Sequence, residues 1–188
     1  YINRGTTGAI VIRQPFGGMG KSAIGAERKV GIFNYITQFV DFKEKSLPKV
    51  KRNHNNELTR FIADCKSSKN NKEDFEKLEI ALQSYLENYD NEFSQEKDYC
   101  EVRGEDNHFR YLPLKNVAIR VSSDDSIFEA VARILAAIVS GVEFKVSVDS
   151  NKLVKSFLEE ATILFKGNNT LVEKDHKSVK EYETLIRS

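Results

Sequence analysis

Hydrophobic residues recur along the chain with spacings that predict different elements. Residues 9–13 (Ala-Ile-Val-Ile-Arg) form a short run rich in β-branched residues, which predicts a strand. From about Glu27 to Asp41 the apolar residues lie three or four positions apart, which predicts an amphipathic helix. The same spacing predicts two later helices. Their apolar positions are Leu58, Phe61, Ile62 and Cys65 in the first, and Phe75, Leu78, Leu82, Tyr85, Leu86 and Tyr89 in the second.

Beyond about Tyr111 the pattern changes to strands that alternate with helices. The apolar runs 117–121, 144–148 and 171–172 predict three strands. Parallel strands need long crossover connections, which are usually helices. The alternation therefore predicts βαβ units, a mainly parallel sheet and a Rossmann-like α/β fold class for this part of the chain.

The helices between these strands have recognisable ends. Ser126-Ile-Phe-Glu129 has the spacing of a capping box, and Gly141 is suited to the position just after the helix. A further helix is predicted from about Leu153 to near Gly167, and a last one around residues 179–186.

Composition and charge argue against several classes of protein: nucleic-acid-binding, membrane-spanning, disulfide-rich and zinc-binding. The 29 Lys and Arg residues nearly balance the 28 Asp and Glu residues, a net charge of +1, so no general affinity for nucleic acid is expected. No apolar run approaches the roughly 20 residues that span a bilayer. Two distant cysteines, Cys65 and Cys100, provide neither a disulfide framework nor the spacing of a zinc site. These features predict a protein of the reducing cytoplasm.

Basic and polar residues with one proline occupy residues 43–56, which predicts a linker. The alternative is a basic patch that binds phosphate or a partner.

The first 31 residues contain seven of the ten glycines, a density that predicts sharp turns or a close approach of ligand to backbone. Gly20-Lys21-Ser22 matches the end of a P-loop, but Pro15 stands at the first glycine position, where its missing N–H weakens the phosphate cradle. Residues 18–23 match the permissive Gly-x-Gly-x-x-Ala dinucleotide fingerprint, although the required βαβ unit is missing around them.

Read as a whole, the same stretch resembles a third pattern. Asn3-Arg-Gly-Thr-Thr-Gly-Ala9, Arg13-Gln-Pro-Phe-Gly-Gly18, Gly20-Lys-Ser22 and Gly25 are similar to the C-terminal signature of the aldehyde dehydrogenase superfamily. The first two of these motifs resemble those of L-glutamate-γ-semialdehyde dehydrogenases. The resemblance covers about the first 40 residues.

A looser resemblance follows the linker. Residues 103–107 (Arg-Gly-Glu-Asp-Asn), residues 110–113 (Arg-Tyr-Leu-Pro) and the strand and helix that lead to Gly141 resemble the extra C-terminal domain of long proline utilization A proteins. Those bifunctional enzymes join an FAD-dependent proline dehydrogenase to an NAD-dependent aldehyde dehydrogenase.

The two resemblances imply a division of the chain. Residues 1–42 would end an aldehyde dehydrogenase domain, 43–56 would be the linker, 57–98 a helical segment and 99–188 an α/β domain. The chain begins at Tyr1 and its only methionine is Met19, so we expect a C-terminal piece of a longer protein.

The resemblance also implies a substrate site. Thr7, Gly8 and Ala9 would anchor the α-carboxylate of glutamate semialdehyde through backbone amides, a charge-assisted contact that needs a turn without an obstructing side chain. Phe16 would form an apolar wall beside the aldehyde. The alternative is that Phe16 is an ordinary core residue and that the glycines only permit a tight turn.

No catalytic residue is expected in this chain, because the family's nucleophilic cysteine and acidic base precede the signature. Cys65 lies at an apolar helical position, where a buried thiol is inert, and Cys100 has no neighbouring base in the sequence. His54, His108 and His176 are isolated and are expected at the surface.

The C-terminal α/β region is expected to bind no NAD, metal or other cofactor. Where the working dehydrogenases carry Lys-Pro-Ser, this chain has Ser147-Val148-Asp149, which loses a cation and adds a negative charge. Its expected role is structural: packing on upstream catalytic domains, covering an internal cavity or supporting a homo-oligomer. The rival hypothesis is a non-enzymatic α/β module that binds a protein partner, and a nucleotide-binding fold that uses Lys21 and Ser22 is a third.

Overall fold

The computed structural model describes residues 2, 3, 5, 10, 16–18, 20–22, 30, 35, 36, 39–43, 54–68, 71–148 and 150–172. The chain forms two compact units. The smaller consists of Tyr1–Lys45 with Gln95–Tyr111, and the larger of Ser46–Ser94 with Leu112–Ser188. Apart from Ile10, the predicted strand 9–13 lies outside the described residues, as does the predicted last helix near 179–186.

The larger unit has the mixed α/β architecture that the sequence predicts. Two helices come first, and a strand–helix–strand–helix–strand succession follows. The elements are α1 (Glu57–Ser68), α2 (Lys72–Asn88), a π-helical turn (Tyr89–Phe93), β1 (Asn116–Val121), α3 (Ile127–Val139), β2 (Glu143–Val148), α4 (Lys152–Glu160), a 3-10 turn (Thr162–Phe165) and β3 (Thr170–Val172). Among the described residues no helix is long and apolar enough to cross a membrane.

The three strands form one parallel sheet in the order β1-β2-β3. Val117 is paired with Phe144, and Val146 with Leu171. Each neighbouring pair of strands is joined by a helix, α3 or α4. The predicted βαβ units and parallel sheet are thereby confirmed.

The sheet buries only one of its faces. Ile119 and Val121 on β1, like Phe144, Val146 and Val148 on β2, are buried. The intervening residues Ala118, Arg120, Glu143, Lys145 and Thr170 are exposed, and we call their side of the sheet the open face. Parallel sheets usually have both faces covered, so this alternation is unusual for three parallel strands.

Local sequence sets both ends of α3. The Ser126 hydroxyl accepts a hydrogen bond from the Glu129 N–H (3.1 Å), and the Glu129 carboxylate accepts one from the Ser126 N–H (2.7 Å), which completes the predicted capping box. At the other end Gly141 has φ of +68°, a left-handed conformation that glycine adopts without strain.

The helix predicted from Leu153 ends earlier than its apolar spacing suggests. The α-helix stops at Glu160, and Ala161 has φ −82° and ψ 52°, outside the helical region. A 3-10 turn over Thr162–Phe165 then buries Leu164. The β-branched pair Thr162 and Ile163 disfavours a continued α-helix, which explains why the prediction was wrong beyond Glu160.

The helices and the buried face of the sheet share one core. The Phe157 ring of α4 lies 6.4 Å from the ring centroid of Phe61 on α1 and 5.6 Å from that of Phe75 on α2. The α1–α2 pair therefore packs onto the same side of the unit as α4. The fully buried side chains of this core include Ile62, Phe75, Leu78, Leu82, Val131, Ile134, Leu135, Val146 and Leu164.

The smaller unit contains short-range pairings. Phe16 and Val30 form an antiparallel bridge, as do Lys97 and Phe109, and Gly20–Ser22 form a 3-10 turn. The predicted helix 27–41 is wrong at its described residues. Val30 exchanges both backbone hydrogen bonds with Phe16, and Tyr35, Ile36 and Phe39 are in 3-10 turns.

Candidate functional site

The predicted carboxylate anchor is only partly described. Thr7, Gly8 and Ala9 lie outside the described residues. Phe16 is described, and its side chain is 64% exposed. Its N–H donates to the Val30 carbonyl (3.0 Å) and its carbonyl accepts from the Val30 N–H (2.8 Å). The backbone of Phe16 is therefore fixed while its ring faces solvent, so in this chain Phe16 is not an ordinary core residue.

The carboxyl edge of the parallel sheet is a second candidate site, because open α/β sheets bind ligands there. The turn between β1 and α3 is closed by Asp125 and Arg133. Arg133 Nη2 lies 2.6 Å from Asp125 Oδ1, and Arg133 Nη1 donates to the Arg120 carbonyl (2.7 Å). Burial raises the pKa of Asp125, but its bonds to Arg133 and to the Ser122 N–H outweigh that effect, and the pKa is lowered overall.

A buried amide joins this turn to the next one. Asn151, only 9% exposed, donates from Nδ2 to the carbonyls of Ser122 (3.2 Å) and Asp125 (2.7 Å). Its Oδ1 accepts from the Val154 N–H (3.1 Å) and caps α4. Both turns at this edge are thus held by one side chain. Asp149, where the resemblance places the altered Lys-Pro-Ser motif, lies outside the described residues.

The N-terminus of α3 carries the chain's own carboxylate. Hydrogen bonds from the Ser126 backbone N–H and hydroxyl lower the pKa of Glu129, so it is ionised at neutral pH. An anionic ligand such as a pyrophosphate group binds at a helix N-terminus because free N–H groups and the helix dipole attract it. Here a charged side chain already occupies that position. The edge is built to hold its own turns together.

A second anionic side chain organises the loop between the bridged residues Lys97 and Phe109. The Asp98 carboxylate accepts from the N–H groups of Asn107 (2.8 Å), Cys100 (2.9 Å) and Glu101 (3.0 Å). These bonds, led by the one from Asn107, lower the pKa of Asp98. The loop is a structural turn with an ionised centre.

The cysteines and histidines separate into buried and exposed groups. Cys65 is buried in α1, as predicted, and Cys100 is partly buried in the Asp98 loop. His108 is exposed, as predicted, and its Nδ1 lies 2.9 Å from Glu96 Oε1. The prediction was wrong for His54, which is only partly exposed. His176 lies outside the described residues, and no group of three metal-binding side chains occurs in the described part of the chain.

His54 belongs to a pocket that no sequence motif marks. Gln83, buried to 9% exposure in α2, accepts from the His54 N–H (2.6 Å) and donates to the His54 carbonyl (2.9 Å). This reciprocal pair fixes the backbone just before α1 against the middle of α2. Asp90 Oδ2 lies 3.8 Å from His54 Nδ1, and His54 Nε2 is buried with no hydrogen-bond partner in the described part of the chain.

The pocket beside this pair lies between α1 and α2 and has a volume of about 400 Å³. Polar and charged side chains dominate its walls, with two apolar ones between them. The lining residues are His54, Asn55, Thr59, Arg60, Ala63, Glu79, Ile80 and Gln83. Sequence reasoning missed it because these residues are far apart in the sequence and only the packing of two helices brings them together.

The chain matches no protein-family model, and no curated protein and no solved structure is significantly similar to it. The evidence for its function therefore lies in its own residues and in the short motifs of its first 40 positions.

Proposed function

We propose that the chain is the C-terminal part of a bifunctional proline-catabolic enzyme of the aldehyde dehydrogenase superfamily. The parent would oxidise proline to pyrroline-5-carboxylate with FAD, and then glutamate semialdehyde to glutamate with NAD⁺. Support comes from the motifs Asn3–Ala9 and Arg13–Gly18, which resemble the signature of glutamate-semialdehyde dehydrogenases. The proposed compartment is the cytoplasm.

The structural observation that supports this proposal best is the exposure of large apolar side chains in the smaller unit. Phe42 is 80% exposed, Phe39 72%, Phe16 64% and Ile36 63%. In the larger unit Phe75 and Phe144 are buried, although Leu112, Leu114 and Leu153 are exposed there to a similar degree. An apolar surface of this kind is typical of a face that packs on further protein. Residues 1–42 would therefore be one edge of a larger catalytic domain.

In this proposal the first segment holds the substrate. Backbone amides of Thr7, Gly8 and Ala9 would donate to the α-carboxylate, and the exposed Phe16 ring would lie beside the aldehyde carbon. Fixing both ends of a short substrate orients its reacting carbon, which is a large part of catalysis. NAD⁺ would supply the hydride acceptor in the parent. The nucleophilic thiol and the base would come from upstream residues.

The larger unit would be a Rossmann-like domain without catalytic function. Its carboxyl edge supports this role, because the side chains of Glu129, Asp125 and Asn151 there bond to their own chain. The domain would pack on the catalytic domains or support a homo-oligomer. The rival, a protein-interaction module, shares this absence of catalysis and differs in requiring no dehydrogenase upstream.

The proposal is tested on the full-length gene product in which this chain occurs. We expect it to form NADH when given glutamate semialdehyde and to reduce its flavin when given proline. Gly8→Ala would place a methyl group where the carboxylate binds. We expect KM for the semialdehyde to rise about 10-fold or more, because one charge-assisted hydrogen bond would be lost.

Ser156→Ala, at an exposed position of α4 far from the anchor segment in the sequence, is the control. We expect its KM to be unchanged. A full-length product that forms no NADH from glutamate semialdehyde overturns the proposal, and a partner protein recovered with such an inactive product would favour the rival.

A further inference from the structure

We propose that the pocket between α1 and α2 is a binding site for a small organic carboxylate with a short apolar body. The inference is independent of the proposed function, because the pocket lies in the larger unit and shares no residue with the anchor segment. Its volume of about 400 Å³ suits a ligand rather than single waters.

The walls of the pocket are fixed by the fold. The His54–Gln83 pair forms two hydrogen bonds across it, of 2.6 Å and 2.9 Å. Thr59 is held by Asn56, since the Thr59 N–H donates to Asn56 Oδ1 (3.0 Å) and its hydroxyl to the Asn56 carbonyl (2.8 Å). A site with walls held in this way loses little conformational entropy when a ligand binds.

The charged side chains that line the pocket, Arg60 and Glu79, favour an anion, although the Asp90 carboxylate lies beside His54, 3.8 Å from its Nδ1. Glu79 is the negative wall residue, and Lys66 Nζ lies 2.8 Å from its Oε2, so its charge is compensated. Arg60 is the positive wall residue. Its guanidinium has no ion pair or hydrogen bond with any residue that the structure describes, although neighbouring lysines such as Lys66 and Lys77 are paired.

A free guanidinium recognises planar anions. Its parallel N–H groups match the two oxygens of a carboxylate, which gives a bidentate contact. Ala63 follows Arg60 by three residues, so both lie on one face of α1, and Ile80 lines the pocket from α2. These two side chains offer an apolar surface beside the cation. A carboxylate with a short alkyl chain satisfies both.

The experiment uses the whole chain and three probes of equal length: hexanoate, 1-hexanol and hexylamine. Binding is followed by the ¹⁵N–¹H NMR signals of the Arg60 Nε–H and the Gln83 side-chain amide. We expect saturable shifts with hexanoate, and binding weaker by about 10-fold or more for hexanol and hexylamine, which lack the charge-assisted contact.

Two variants make the test specific. Arg60→Gln removes the cation and should weaken hexanoate binding about 10-fold or more, whereas Arg103→Gln, an exposed arginine of the smaller unit, should leave it unchanged. Ala63→Leu places a larger side chain in the pocket from an exposed position and should abolish binding with an unchanged Tm.

Three results would overturn the proposal: no saturable shift with hexanoate, equal binding of hexanoate and hexanol, or equal binding by the Arg60 and Arg103 variants. These results have no bearing on the dehydrogenase proposal, which is tested by the NADH assay on the full-length product.

Discussion

Arg133 and Asp125 close the turn that joins the first strand to the helix after it, with 2.6 Å between Nη2 and Oδ1. The pair is eight residues apart in the sequence and connects the end of the turn to the second turn of α3. The same guanidinium donates to the Arg120 carbonyl at the end of β1. One side chain thus connects strand, turn and helix at the carboxyl edge of the sheet.

Asp125→Asn should lower the free energy of unfolding by about 1 kcal/mol, because it removes the charge while retaining an oxygen for the Ser122 N–H. Part of the Coulomb attraction is screened, since the Arg133 side chain is 43% exposed. Urea unfolding at pH 7 measures the change. Glu159→Gln, which removes an exposed ion pair with Lys155 in α4, should cost less than about 0.5 kcal/mol.

The effect of Asp125→Asn should also depend on pH. The pKa of Asp125 is lowered in the folded protein, so the unfolded state binds the proton more readily. The stabilisation is therefore complete above the unfolded pKa and is lost as pH falls through the lower folded pKa. Wild type and Asp125→Asn should converge in stability at acidic pH. A difference that persists unchanged at acidic pH would contradict this account.

Asn151→Asp separates the two tasks of this side chain. The variant keeps an oxygen to cap α4 but replaces the donor to the Ser122 and Asp125 carbonyls with a second acceptor. We expect a loss of about 2–3 kcal/mol at pH 7 in urea unfolding, because a buried charge then faces two carbonyl oxygens.

The loss in Asn151→Asp should shrink at low pH. A carboxyl group whose protonated form donates a hydrogen bond has a raised folded pKa. The hydrogen bond donated by the new carboxyl group then stabilises the protein below the pKa that the group has in the unfolded state. This stabilisation is lost as pH rises through the higher pKa of the folded state. Asn151→Ala, which cannot titrate, serves as the control. If the stability of the two variants depends on pH in the same way, Asn151 Nδ2 is not the donor to these carbonyls.

The Asp98 loop should open on acidification or on neutralisation of its central carboxylate. The pKa of Asp98 is lowered, so its contribution is present above the ordinary aspartate pKa and is lost as pH falls through the folded value. Asp98→Asn should accelerate hydrogen exchange of the Asn107, Cys100 and Glu101 amides at neutral pH. Exchange at Phe109, whose N–H bonds to the Lys97 carbonyl, should rise less. Unchanged exchange at Asn107 would contradict the role of Asp98.

Isothermal titration of the chain with NAD⁺ should show no binding in the micromolar range. The reason is that backbone N–H groups at the N-terminus of α3 are already occupied, that of Ser126 by the Glu129 side chain and that of Glu129 by the Ser126 hydroxyl, whereas a pyrophosphate would need free N–H groups. Glu129→Gln serves as the matched variant, and we expect no binding there either, because the capping bonds from Ser126 can be retained. Micromolar binding by the wild-type chain would overturn the assignment of a structural domain.

Local sequence patterns were sufficient for most of the larger unit. The capping box at Ser126 and the glycine after α3 depend only on residues a few positions away. Both can therefore be identified from the sequence alone. The C-terminal end of α4 and the segment around Val30 were predicted wrongly, because the first depends on the backbone torsion at Ala161 and the second on a bridge to Phe16.

The candidate sites depend on contacts that no sequence pattern reports. Asn151 is an ordinary helix cap in the sequence, and its bonds to the Ser122 and Asp125 carbonyls exist only because two turns meet at one edge of the sheet. Gln83 and His54 are 29 residues apart and meet through the packing of α1 on α2. Such pairs require tertiary structure before they can be identified.

The open face of the sheet has a consequence for how the strands align. Side chains alternate along a strand, so a slip of β1 by a single residue would turn Ile119 and Val121 outward and bring Ala118 and Arg120 beneath the helices. A guanidinium without a partner in the core costs several kcal/mol, on the order of 3–5. A one-residue shift of β2 would bury the Lys145 ammonium group at a similar cost. Charged residues at alternate positions thus disfavour a shifted strand register. If the open face were neutral, the sequence would specify the register of the strands less strongly.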